Sequence, residues 1–189
     1  MTGSALAQDA DVDASADVNV DANASVEPAA EPAAEPMAAE VTVAPGKTLG
    51  VDGVFVLPLG DYADAASAAF GALLRFEFGI NAALSVTGRA GLLYNLAKAD
   101  GLTILMIPIL GGVKYNIGTS GLFAQAEVGI THIRVSADGG SASETKLSFQ
   151  GGAGYQMGKI QLRGGLYYIA QDPALMGIMA SAGFDFMAL

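Results

Sequence analysis

The chain has no cysteine, no tryptophan and a single histidine. Without cysteine there is no disulfide framework and no thiolate chemistry, and the redox compartment stays open. Charge is scarce as well. Asp, Glu, Lys and Arg make up 15% of the 189 residues, against about a quarter in ordinary soluble domains. Basic residues form no patch, which argues against a nucleic-acid partner. No apolar run approaches the roughly 18 residues that mark a membrane-spanning helix. Any crossing of a bilayer therefore falls to strands. Residues 1–40 contain nine acids and no Lys or Arg, whereas residues 41–189 hold ten acids and all nine bases. The formal charge of −10 thus belongs almost wholly to the leading segment.

That segment has its own grammar. SALAQDA places Ala5 and Ala7 in the −3 and −1 pattern of a signal-peptidase site, with Gln8 as the new first residue. The basic and apolar regions expected before such a site are missing. Asp9 to Val26 then alternates polar with Ala or Val, yet Asp, Asn and Ala are poor strand formers. The D-x-D spacing lacks the central Gly and closing Glu of a calcium loop. EPAAEPAAEPMAAE repeats every four residues and favours an extended spacer. Residues 1–46 are expected to be a signal-peptide remnant followed by an acidic, Ala/Pro/Glu-rich disordered tail.

From Lys47 onward the period is two. Eight strands are expected near 48–57, 70–80, 84–95, 103–116, 122–132, 147–157, 160–169 and 177–187. Most match the nine to eleven residues a tilted strand needs to cross a bilayer. Connections alternate between long and short, the pattern of an up-and-down membrane barrel with short periplasmic turns. No segment between strands shows helical periodicity.

Charge segregation decides which face meets lipid. One face of every strand is apolar, as in Leu105, Ile107, Ile109, Val113 and Tyr115. All eight strand charges fall on the other: Asp52, Arg75, Glu77, Arg89, Lys114, Glu127, Arg163 and Asp185. A lipid-facing Arg or Lys at mid-membrane costs roughly 2–4 kcal/mol, which such segregation avoids. A soluble barrel predicts the reverse arrangement. Tyr94 and Tyr168 near loop ends, and Tyr115, Tyr155 and Phe186 near turn ends, are expected to form interfacial girdles.

IPILGGVKYNI, GLFAQAEVGITH, SFQGGAGYQMG and ASAGFDF resemble the small bacterial outer-membrane β-barrels of the OmpA-like transmembrane-domain type. The resemblance covers about residues 47–189. It implies an eight-stranded antiparallel up-and-down transmembrane β-barrel in a Gram-negative outer membrane, with both termini in the periplasm. It also implies contact with lipopolysaccharide and phospholipid, insertion by the barrel-assembly machinery, and no enzyme activity. Such barrels commonly end on an aromatic residue, whereas this chain continues past Phe186 with Met-Ala-Leu.

The eight lumen charges, four of each sign, are expected to form a neutral ion-pair network. Simple registers set Asp52 opposite Arg75, and make Glu77 diagonal to Arg89, Lys114 to Glu127 and Arg163 to Asp185. Diagonal neighbours lie within reach of long side chains. With Met106, Leu110, Phe123, Tyr167 and Met179 also inside, an eight-strand bore is nearly full. A monomer with a structural or surface-interaction role through the loop Arg134–Lys146 is the leading expectation. A narrow or gated pore is the alternative. A lipid-modifying enzyme is the second: His132, Ser136 and Glu144 are similar to the His/Ser/acid set of barrel lipid A deacylases. In those enzymes His and Ser sit two apart on one strand face, and position 134 here is Arg. No catalytic residue, cofactor or metal site is assigned.

Overall fold

Alternating apolar and polar side chains, with tight turns at one end, produce a closed antiparallel barrel. The computed structural model describes residues 46–188; the expectations for a cleavage site and an acidic tail lie outside the described residues. The strands are β1 (Lys47–Leu59), β2 (Ala66–Gly79), β3 (Leu84–Ala97), β4 (Thr103–Asn116), β5 (Leu122–Ala137), β6 (Gly140–Met157), β7 (Ile160–Ile169) and β8 (Leu175–Ala188). Each pairs with its sequence neighbours, and β1 closes on β8. No helix among the described residues is long and apolar enough to cross a membrane.

Three connections lie at what we call the turn end. Asn81 makes the first of them: its side-chain oxygen accepts from the backbone N–H of Ala83 at 2.9 Å and Leu84 at 2.8 Å, the side-chain turn that Asn favours. Gly118, Gly121 and Gly158 adopt positive φ in the other two, which costs glycine nothing. The remaining connections lie at the opposite, loop end.

The loop end departs from expectation twice. The first loop contains a one-turn helix, α1 (Asp61–Ala65), too short to carry a helical period. The polar segment Arg134–Lys146 is mostly strand. β5 and β6 run 16 and 18 residues, well beyond the nine to eleven that cross a bilayer, and turn at Asp138–Gly139. Ser and Thr pair well across strands, so the polarity that reads as a loop is equally compatible with a paired hairpin. Its β7 side is open, because pairing there begins only at Ser148 with Ile169.

The burial pattern is inverted relative to a soluble protein. Asp52, Arg75, Glu77, Arg89, Lys114, Glu127, Arg163 and Asp185 are all buried, while Leu74, Ile109, Leu92 and Leu166 are more than half exposed. Soluble monomers rarely expose contiguous apolar surface beyond a few hundred Å². Here it wraps the whole barrel, because strand parity puts every second residue outside.

Candidate functional site

The interior is layered. Toward the loop end it is apolar, with Val54, Val56, Leu73, Leu93, Met106 and Ile169 packed together. Toward the turn end it is charged. Arg75 reaches three acids: Nε to Asp52 at 2.9 Å, Nη1 to Glu77 at 3.0 Å and Nη2 to Asp185 at 2.8 Å. Glu77 in turn meets three cations, Arg75, Lys114 and Arg163. Arg89 binds Glu127 through Nε at 2.8 Å and donates from Nη2 to Gln150 at 3.0 Å. Arg163 donates to Gln125 at 2.7 Å, and Lys114 to Gln156 at 3.2 Å. Both cations stand over the Phe123 ring, at 5.5 and 5.0 Å. Every one of the eight strands contributes a side chain to this network.

The partners differ from those drawn by simple register. Only Arg75 with Asp52 forms as drawn, and Asp52 lies opposite Leu73 rather than Arg75. Glu77 is diagonal to Arg89 as expected, since Glu77 faces Thr87, yet they do not pair. Ile117 is bonded to Leu122, so Lys114 does sit diagonal to Glu127. It turns instead to Glu77, while Glu127 is taken by Arg89. Tyr168 faces Met176, two residues from the Ile178 expected, which carries Arg163 away from Asp185. An eight-strand bore is narrow enough for side chains to meet across it, so Lys114 and Arg163 reach Glu77 from β4 and β7, and Arg89 on β3 reaches Glu127 on β5.

Glycines make room for these groups. A methyl on Gly183 would collide with the Asp52 carboxylate, and one on Gly154 with the Phe123 ring. Beside Gly50, β8 carries one extra residue, Phe186, so the register shifts between Leu49 and Gly50. The Gly50 Cα lies where a Cβ would meet both Arg75 and Asp185.

Several contributors escaped the sequence reading. Gln125, Gln150 and Thr87 share the parity of the charged residues, and that parity was the available signal. Tyr62 gave none. It projects from α1 into the loop-end mouth, where it is buried, and its hydroxyl donates to Asn95 Oδ1. Asn95 Nδ2 donates onward to the Ile104 carbonyl at 3.2 Å. Burial pushes the Tyr62 phenol above its usual range. The side chain caps the apolar layer. Tyr94, Tyr115, Tyr155, Tyr168 and Phe186 point outward, with Tyr94 beside Phe70 and Tyr168 beside Phe149 at ring distances of 5.8 and 6.3 Å.

The enzyme set is not assembled. His132 lies on the outer face of β5, where Nδ1 stands 3.0 Å from Thr145 Oγ1. Glu144 is on the opposite face of β6 and pairs with Lys146 at 2.9 Å.

Comparison with solved structures agrees with this architecture. Ail of Yersinia pestis, the attachment invasion locus protein, superposes with a TM-score of 0.58 at 13% identity, over 77% of this chain and 99% of Ail. The N-terminal β-barrel domain of Pseudomonas aeruginosa OprF gives 0.53 at 12%, over 75% and 97%. Neisserial surface protein A gives 0.51 at 16%, over 72% and 94%. This chain has the fold of the small bacterial outer-membrane β-barrels. No protein-family model and no curated protein sequence matches it.

Proposed function

We propose that this barrel resides in a Gram-negative outer membrane, termini in the periplasm, and acts by surface contact through the β5–β6 hairpin. Insertion by the barrel-assembly machinery, a monomeric state and the absence of catalysis belong to the same reading. The observation that carries it is the contrast between a filled bore and a projecting hairpin. The bore is packed by the ion network and capped by Tyr62, which does not favour a pore. The hairpin extends past the barrel with the outer edge of Gly140–Lys146 unpaired, and an open edge offers main-chain donors and acceptors to an added strand.

Charge constrains the partner. The loop end carries six acids (Asp61, Asp64, Asp100, Asp138, Glu144, Asp172) and three bases (Lys98, Arg134, Lys146). Ail was crystallised with the heparin analogue sucrose octasulfate. A polyanion of that kind does not match this surface, and a neutral or basic polypeptide does. The test replaces Arg134–Lys146 by a tight turn and compares intact cells for adhesion to protein-coated surfaces. Loss of adhesion in cells that still display a heat-modifiable barrel is the expected result. Unchanged adhesion would remove the hairpin from the function. Protease cleavage at the hairpin on intact cells checks the orientation.

A further inference from the structure

Among the described residues, the outer face of the strands carries no Asp or Glu and three Lys, Arg or His side chains: Lys47 at the turn end, and His132 and Arg134 near the loop end of β5. On the β5–β6 hairpin the change from apolar to polar takes one rung. Ile130 faces Leu147. The next outward pair is His132 with Thr145, then Arg134 with Ser143, then Ser136 with Ser141. Thr145 Oγ1 stands 3.0 Å from His132 Nδ1 and holds the ring against the strand, which leaves Nε2 facing away from the hairpin. Arg134 is exposed and forms no salt bridge among the described residues.

Two further facts narrow the ligand. No carboxylate shares this face, because Glu144 is turned inward to Lys146 and Asp138 lies in the turn. On the other flank the apolar wall of β4 rises higher, with Ile107 facing His132 and Leu105 facing Arg134. A strip of cationic and hydroxyl donors thus stands beside an apolar wall at the level where the apolar band ends. A guanidinium binds phosphate oxygens in a two-point fork, and a soluble anion would make no use of the wall.

We propose that His132, Arg134, Ser143 and Thr145 form a binding site for the phosphate of a membrane-lipid headgroup, with its chains against Leu105, Ile107 and Ile130. This goes beyond the surface-contact reading and does not rest on it.

The test uses the full chain in a phosphate-free maltoside detergent, with native mass spectrometry counting retained lipid. The probes are phosphatidic acid, diacylglycerol with the same chains, and inorganic phosphate. Phosphatidic acid is expected to saturate one site that diacylglycerol does not fill. Arg134→Gln is expected to weaken it about tenfold, or ~1.4 kcal/mol. Thr145→Val, which frees the imidazole, gives about a threefold loss, the scale of one hydrogen bond. Lys47→Gln at the far end leaves the site unchanged. Each variant is first shown to retain heat-modifiable migration. Equal retention by Arg134→Gln and Thr145→Val, or equal binding of diacylglycerol, overturns the proposal. Displacement of phosphatidic acid by inorganic phosphate at equal concentration would make it a soluble-anion site, and overturn the lipid assignment too.

Discussion

Glu77→Gln is the sharpest probe of the interior. It changes almost no volume and removes one negative charge from a point where three cations converge. Arg75 keeps Asp52 and Asp185 at 2.9 and 2.8 Å, and Arg163 keeps Gln125 at 2.7 Å. Lys114 loses the only carboxylate it meets among the described residues and retains Gln156 at 3.2 Å and the Phe123 ring. Removing one partner of a buried pair typically costs about 3–5 kcal/mol, since the other charge is left uncompensated. That is a large part of the roughly 5–15 kcal/mol that holds a typical domain folded. Replacing Lys114 by Met as well removes the stranded ion. The double variant Glu77→Gln/Lys114→Met is therefore expected to be more stable than the sum of its parts, by about 1–3 kcal/mol of coupling. With no tryptophan to report unfolding, the folded fraction in lipid vesicles is read against urea by the difference in gel migration between heated and unheated samples. A cost below about 1 kcal/mol for Glu77→Gln, or strict additivity in the double variant, would refute the view that Glu77 neutralises Lys114.

Four other outcomes follow from the same geometry. Arg89→Ala leaves Glu127 with only the Thr87 hydroxyl at 2.9 Å and Arg163 at 3.9 Å among the described residues and destabilises the barrel without opening a large channel, which planar-bilayer conductance checks. Ile109→Arg puts a charge on the exposed mid-strand face and costs about 2–4 kcal/mol in a bilayer; a neutral effect would place that face outside lipid. Gly183→Ala pushes a methyl into the Asp52 carboxylate and lowers the urea midpoint, whereas Gly60→Ala meets no neighbour and bears only the strain of its positive φ. Tyr62→Phe leaves Asn95 Oδ1 short of a donor, at about 1–3 kcal/mol. Because burial raises the Tyr62 pKa, its contribution is intact below pH ~10 and is lost as pH rises through the elevated value. Tyrosinate absorbance at the highest pH should therefore lose one late-ionising phenol in Tyr62→Phe relative to the unsubstituted chain.

Strand number, parity and the inward placement of Asp52, Arg75, Glu77, Arg89, Lys114, Glu127, Arg163 and Asp185 were legible because a one-residue slip would turn charges into the apolar face. Which charge meets which was not. Register along neighbouring strands is a local property, but the contact of Glu77 on β2 with Arg163 on β7 depends on the width of the bore. Tyr62 was hidden for a different reason. A single turn of helix has no period, and an aromatic in a loop carries no mark of the mouth it closes. The β5–β6 extension was hidden by composition, since SASETK reads as loop until its pairing partner is known.

The network also ties the barrel seam to its core. Asp52 arrives on the first strand and Asp185 on the last, and Arg75 contacts both. Until β1 meets β8, that guanidinium lacks part of its counter-charge, and the interior of a half-built barrel is not electrically neutral. Seam closure and charge neutrality are thus completed in one step, so an open sheet of seven strands is penalised twice, once at its bare edges and once at its unmatched core.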